Sequence, residues 1–149
     1  MEARTYEEIC SIIPNRYPMM ILDSLSVGET EAVSYIVLKD TDWFFECHYP
    51  GNPILPLSLL LESMAQTFSA TFLPGLTDKK EIPVIASMGE ARLKEGAGPG
   101  DTIRIVAVLD SFRRGIAKGT CRAYKNEDAV PILEIGITDV IPSQMVRMK

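Results

Sequence analysis

Hydrophobic and polar positions along the chain fall into short runs rich in Ile, Val, Thr and Tyr, separated by turn-forming residues. Segments 29–39, 82–93, 101–112, 115–125 and 130–141 carry this pattern and predict strands. Gly98-Pro99-Gly100-Asp101 and Lys125-Asn126-Glu127-Asp128 mark turns, and connections this short favour antiparallel neighbours. Nearer the N-terminus, Thr5-Tyr6-Glu7-Glu8 has the form of a capping box and predicts a short helix over 5–13. Pro14 and Pro18 then hold Asn15-Arg16-Tyr17 in an extended or turning path, after which the apolar run Met19–Leu22 is expected to open a strand.

Segment 57–73, LSLLLESMAQTFSATFL, breaks this pattern because it is apolar nearly all the way round. It follows Pro56, a residue suited to a first helical turn, and predicts a buried central helix of roughly 25 Å at 1.5 Å per residue. Glu62, Gln66, Ser58, Ser63 and Ser69 make it too polar, and seventeen residues too short, for a membrane span. Such a helix needs protein on most of its circumference, and the strands must supply it. The expected fold class is therefore α+β, an antiparallel sheet wrapped around a long apolar helix within one domain spanning 1–149. A helix face left uncovered would invite a second subunit.

Composition agrees with one globular domain, with 46% hydrophobic, 23% charged and 7% aromatic residues. Cys10, Cys47 and Cys121 are widely spaced, with no CxxC pair, which speaks against a disulfide framework or a zinc site. The start, Met1-Glu2-Ala3-Arg4 with Glu7 and Glu8 following, does not look like a signal peptide, so a cytoplasmic location is expected. The net charge of −5 conceals an uneven distribution. Between 92 and 125, Arg92, Lys94, Arg104, Arg113, Arg114, Lys118, Arg122 and Lys125 face only Glu95, Asp101 and Asp110. This is either a solvated strand face or a docking surface for an acidic partner; nucleic acid fits poorly because the patch lacks interleaved aromatics.

Two residues stand out for chemistry. His48 is the chain's sole histidine, set between Trp43-Phe44-Phe45 and the proline-rich Tyr49-Pro50-Gly51-Asn52-Pro53-Ile54-Leu55-Pro56. It reads as a packing residue or as a base. Glu62 is the sole charge from Leu57 through Thr77, and it either points to water or a polar dimer seam, or lies buried. In the buried case its pKa rises, and a carboxylic acid held protonated can donate a proton. Together the pair suits an elimination: a base removes the proton alpha to a thioester carbonyl while an acid protonates the departing hydroxyl. Amides at the helix start, near Leu57 and Ser58, are suited to polarise the carbonyl.

Residues 48–66, HYPGNPILPLSLLLESMAQ, resemble the FabZ-type 3-hydroxyacyl-acyl-carrier-protein dehydratases of the hot-dog fold, with the fourteen-residue step from His48 to Glu62. Three further stretches match in the same order: IIPNRYPMMILD (12–23), Pro99-Gly100-Asp101, and RRGIAKG (113–119). The resemblance implies dehydration of a carrier-bound 3-hydroxyacyl chain to the trans-2-enoyl form in fatty-acid or related polyketide or polyene synthesis. It implies His48 as base and Glu62 as acid, with Pro56, Leu57, Ser58 and Gln66 near the substrate. It further implies a homodimer whose site combines His48 of one protomer with Glu62 of the other, often within a trimer of dimers. Acyl carrier protein would dock on Arg113, Arg114 and Lys118, and no cofactor is implied beyond the carrier's phosphopantetheine. Glutamate at position 62 favours dehydration without dedicated isomerisation.

Two residues depart from the family pattern, since Cys47 and Leu57 stand where glycine is usual. ARLKEGAGPGD (91–101) also differs, lacking an aromatic and a proline usual there. Leu57 brings a branched side chain to the helix mouth, so altered acyl specificity and weakened activity both follow as expectations. The competing readings are an acyl-binding accessory subunit without turnover and a hot-dog thioesterase. Retention of both His48 and Glu62 weighs against the first, and the HYPG context against the second.

Overall fold

The computed structural model describes residues 3–76 and 81–146; Met1 and Glu2, which entered the reading of the N-terminus, lie outside them. The capping box forms as expected. Thr5 accepts from the Glu8 amide while Glu8 Oε1 accepts from the Thr5 amide, starting α1 (Tyr6–Ile12). The expected strand at Met19–Leu22 does not form, because the segment between the prolines is tied down as a turn. The Met20 amide donates to the Arg16 carbonyl, and Trp43 Nε1 donates to the Pro18 carbonyl at 3.1 Å. Met20 and Leu22 are buried from this loop, and the strand begins later, at Ser24.

Seven strands form one antiparallel sheet: β1 (Ala3–Arg4), β2 (Ser24–Val27), β3 (Glu31–Val37), β4 (Val84–Met88), β5 (Thr102–Arg113), β6 (Ile116–Lys125) and β7 (Leu133–Val140), in the order β1-β2-β3-β5-β6-β7-β4. The turn at Lys125–Asp128 joins antiparallel neighbours, β6 and β7, as predicted. The turn at Gly98–Asp101 does not: it leads into β5, which pairs with β3 and β6, whereas β4 pairs with β7. Residues 89–101 carry the chain across the sheet, so this turn redirects a crossover instead of closing a hairpin.

Helix α2 (Leu57–Ser69) packs on β3, β5 and β6, and the sheet curls around it, giving the expected hot-dog arrangement. The helix is shorter than predicted, thirteen residues or about 20 Å, and gives way to a 3-10 turn at Leu73–Gly75, where Pro74 and Gly75 end its regular course. Side chains alternate between buried and more open along β5 and β6, sending Ile103, Ile105, Ala107, Ala117, Cys121 and Ala123 inward. Gly119 is needed for this packing, since a Cβ there would overlap the Val108 carbonyl and the Phe68 ring of α2. A buried hydroxyl pair ties helix to sheet: Thr67 Oγ1 donates to the Ser63 carbonyl, so Ser34 Oγ on β3 donates to Thr67 at 2.7 Å. No helix among the described residues is long and apolar enough to cross a membrane.

Candidate active site

His48 sits in a loop fixed by its own backbone. Pro50 and Gly51 fill the centre of a tight turn, with Gly51 at φ +77° and reciprocal backbone hydrogen bonds between Tyr49 and Asn52. Ile54 then grips the histidine from two sides. Its amide donates to the His48 carbonyl at 2.9 Å, and its carbonyl lies 2.9 Å from His48 Nδ1. A carbonyl oxygen can only accept, so Nδ1 carries the proton and Nε2 presents a free lone pair. The ring stacks on Tyr49, centroids 4.1 Å apart, and stays half-buried. An imidazole fixed in this tautomer is equipped to act as a base.

The same loop delivers the start of α2. Pro56 is its buried N-cap, and the Leu59 and Leu60 amides both turn back to the Pro56 carbonyl. No side chain caps this end, so the Leu57 and Ser58 amides are its open donors. Leu57 packs its side chain against the core, while Ser58 is exposed.

Glu62 is held differently. It lies half-buried on α2, and its Oε1 accepts from Gln66 Nε2 at 2.9 Å and from Asn15 Nδ2 at 3.3 Å. Gln66, itself buried, also donates to the Met19 carbonyl at 3.3 Å. The loop between α1 and β2 therefore clamps the carboxyl end of Glu62, which gives the IIPNRYPMM stretch a structural purpose its sequence did not reveal. Gln66, expected beside substrate, donates to Glu62 and lines the same pocket. The carboxylate opens into a pocket of about 210 Å³ with Asn15, Gln66, Ile85 and Asp139; His48 is not among its lining residues.

Asp139 was not anticipated. On β7 it lies 2% exposed, and burial, with the neighbouring charge of Glu62 second, pushes its carboxyl up from the ordinary 3.8 to about 7. The signal was present in the alternation Leu133, Ile135, Ile137, Asp139, Ile141, where an acid occupies the inward row of a strand.

The basic segment divides in two. Lys125 pairs with Glu95, Arg122 with Glu134 at 3.2 Å and Arg92 with Glu90, and Arg104 lies over the Tyr124 ring. Arg113, Arg114 and Lys118 have no acidic partner among the described residues and stand exposed on and beside the β5–β6 hairpin, where Arg114 and Gly115 take positive φ.

Comparisons agree with this architecture. The model of the FabA-like domain matches residues 13–133. The chain is 37% identical over 119 residues to the 3-hydroxyacyl-[acyl-carrier-protein] dehydratase FabZ of Chloroflexus aggregans, covering 78% of this chain and 83% of that protein. It is 32% identical over 127 residues to FabZ of Clostridioides difficile, covering 83% and 89%. Among solved structures, the dehydratase heterocomplex ApeI:P from Xenorhabdus doucetiae superposes with a TM-score of 0.75 at 13% identity over 94% of this chain and 95% of that one, a likeness of fold. A clasped histidine ahead of a central helix, a glutamate on that helix, and these matches place the chain in the FabA-like family of hot-dog proteins, with the FabZ hydroxyacyl-carrier dehydratases as its relatives.

Proposed function

We propose that this protein dehydrates 3-hydroxyacyl chains carried on acyl carrier protein to trans-2-enoyl chains, as a lyase of fatty-acid or related polyketide or polyene synthesis. The observation that carries the reading is the Ile54 carbonyl 2.9 Å from His48 Nδ1, a contact that commits Nδ1 as donor and leaves Nε2 to take the proton alpha to the thioester. Glu62 protonates the departing hydroxyl, which leaves as water. The open amides of Leu57 and Ser58 stabilise charge developing on the thioester oxygen. Packing of Leu57 against the core supports changed acyl preference over a blocked mouth, because the backbone amide stays at the helix end.

The site is completed by a second copy of the chain. Strand β4 is a sheet edge paired only to β7 among the described strands, and it and the residue leading into it expose apolar side chains, with Ile82, Val84 and Ile85 60%, 48% and 41% exposed. Such an edge favours pairing with another strand. The Glu62 pocket is lined partly by this edge, so a partner seated there can bring its His48 to Glu62. Arg113, Arg114 and Lys118, without an acidic partner among the described residues, form the dock for the acidic carrier.

The test is to incubate pure protein with a 3-hydroxyacyl carrier protein and follow the acyl chain by mass. Loss of one water with the thioester intact is expected. Release of the free carrier thiol would make the protein a thioesterase, and carrier binding with no mass change would make it an accessory subunit.

A further inference from the structure

Asp139 and Glu62 open into one pocket, and among the described residues no Lys, Arg or His lines it. Two carboxyls with no cation among the described lining residues, one of them 2% exposed, disfavour double ionisation. The neighbours do not relieve it. From α2, Gln66 turns its amide nitrogen to Glu62 and Met19, and its buried Oε1 is itself an acceptor without a donor. From the loop before β2, Asn15 donates to Glu62. From β6, the Cys121 thiol is pushed up to about 12, so it stays neutral, and it donates toward the Met64 carbonyl. The β4 side brings Val84 and Ile85, which carry no charge. Asp139 Oδ1 is left buried with no hydrogen-bond partner among the described residues.

We propose that Asp139 is a positioning residue for the acid step, forming with Glu62 a carboxyl pair that retains one proton at neutral pH beside the departing hydroxyl. The proposal rests on the dehydratase reading above. In the step, His48 Nε2 takes the alpha proton, the C–H electron pair becomes the double bond, and the C–O bond breaks. The pair's proton passes through Glu62 to the hydroxyl, which departs as water. The pair is then doubly charged and His48 is imidazolium, and exchange of protons with solvent restores both. The direction of the Asp139 shift, caused by burial first and Glu62 second, agrees with this account.

The experiment is a ¹³C NMR titration of protein labelled at the aspartate side-chain carboxyl, run beside the pH profile of kcat. The Asp139 signal is expected to titrate near 7 in the wild-type protein. In Glu62→Gln it should fall by roughly one unit, because one of two causes is removed. In Asp139→Asn, the alkaline limb of kcat should move down by roughly one pH unit, with KM within about twofold. An Asp139 signal in the ordinary carboxylate range, or one that ignores Glu62→Gln, overturns the pair, and neither reading requires turnover. An unmoved kcat profile in a folded Asp139→Asn protein overturns its part in the acid step. Absence of turnover in the wild-type protein with the titration intact instead sinks the dehydratase reading on which that part depends.

Discussion

The two halves of the candidate site are built on opposite plans. His48 is fixed by residues close to it in sequence: Phe44 accepts from its amide, Ile54 clasps its carbonyl and ring, and Tyr49 stacks on it. Glu62 is fixed from afar, by Asn15 forty-seven positions away and by Gln66, which is tethered to Met19, and it shares its pocket with Asp139 of the last strand. A base that must keep one tautomer can be served by a stiff loop. A carboxyl held by partners from distant segments needs an environment, and only tertiary structure supplies one.

The comparison can be broken most severely by removing either reacting group. His48→Ala and Glu62→Gln should each lower kcat by roughly 10² to 10⁴ while the protein stays folded, measured by enoyl formation and circular dichroism. Gln66→Leu leaves the Glu62 carboxyl in place but removes its nearest donor; a fall in kcat of about 10- to 100-fold is expected, and no such local variant exists on the histidine side, where the holder is backbone.

A smaller effect separates the halves by pH. The Asp139 carboxyl is raised in the folded chain, so the native state binds more protons than the unfolded state between the ordinary 3.8 and about 7. Stability from this group is complete below that window and is lost as pH rises through it, with a limiting slope of about 1.4 kcal/mol per pH unit. Asp139→Asn should flatten the dependence in urea titrations at pH 5 and pH 8, gaining on the wild type at the higher pH. Smallest is Gly51→Ala, which forces a side chain to φ +77° and should lower stability by about 1 kcal/mol, read as a reduced urea midpoint.

This contrast also decides how much could be read beforehand. The HYPGNPILP loop and the helix after it are contiguous, so the spacing of His48, the Pro-Gly turn and Glu62 was visible in the chain. The five strand segments were visible because alternation is local, although β4 occupies only Val84–Met88 of the segment predicted for it. What escaped were pairings between distant segments. Asn15 lies in the path expected to turn or extend between two prolines and Met19 where a strand was expected, and their use as a clamp depends on the turn that forms there. The partner of β4 is β7, a choice no turn near β4 encodes. Asp139 was missed because an acid in a strand reads as solvent-facing until its row is seen to point inward.

The central claim, a site shared between two chains with His48 as base and Glu62 as acid, is tested most directly by complementation. His48→Ala and Glu62→Gln proteins, each inactive alone, are dissociated together, reassociated and assayed on a 3-hydroxyacyl carrier protein. Mixed dimers hold one intact site of two, so random pairing is predicted to recover about a quarter of wild-type activity. No recovery, with mixed dimers verified by mass, would contradict it.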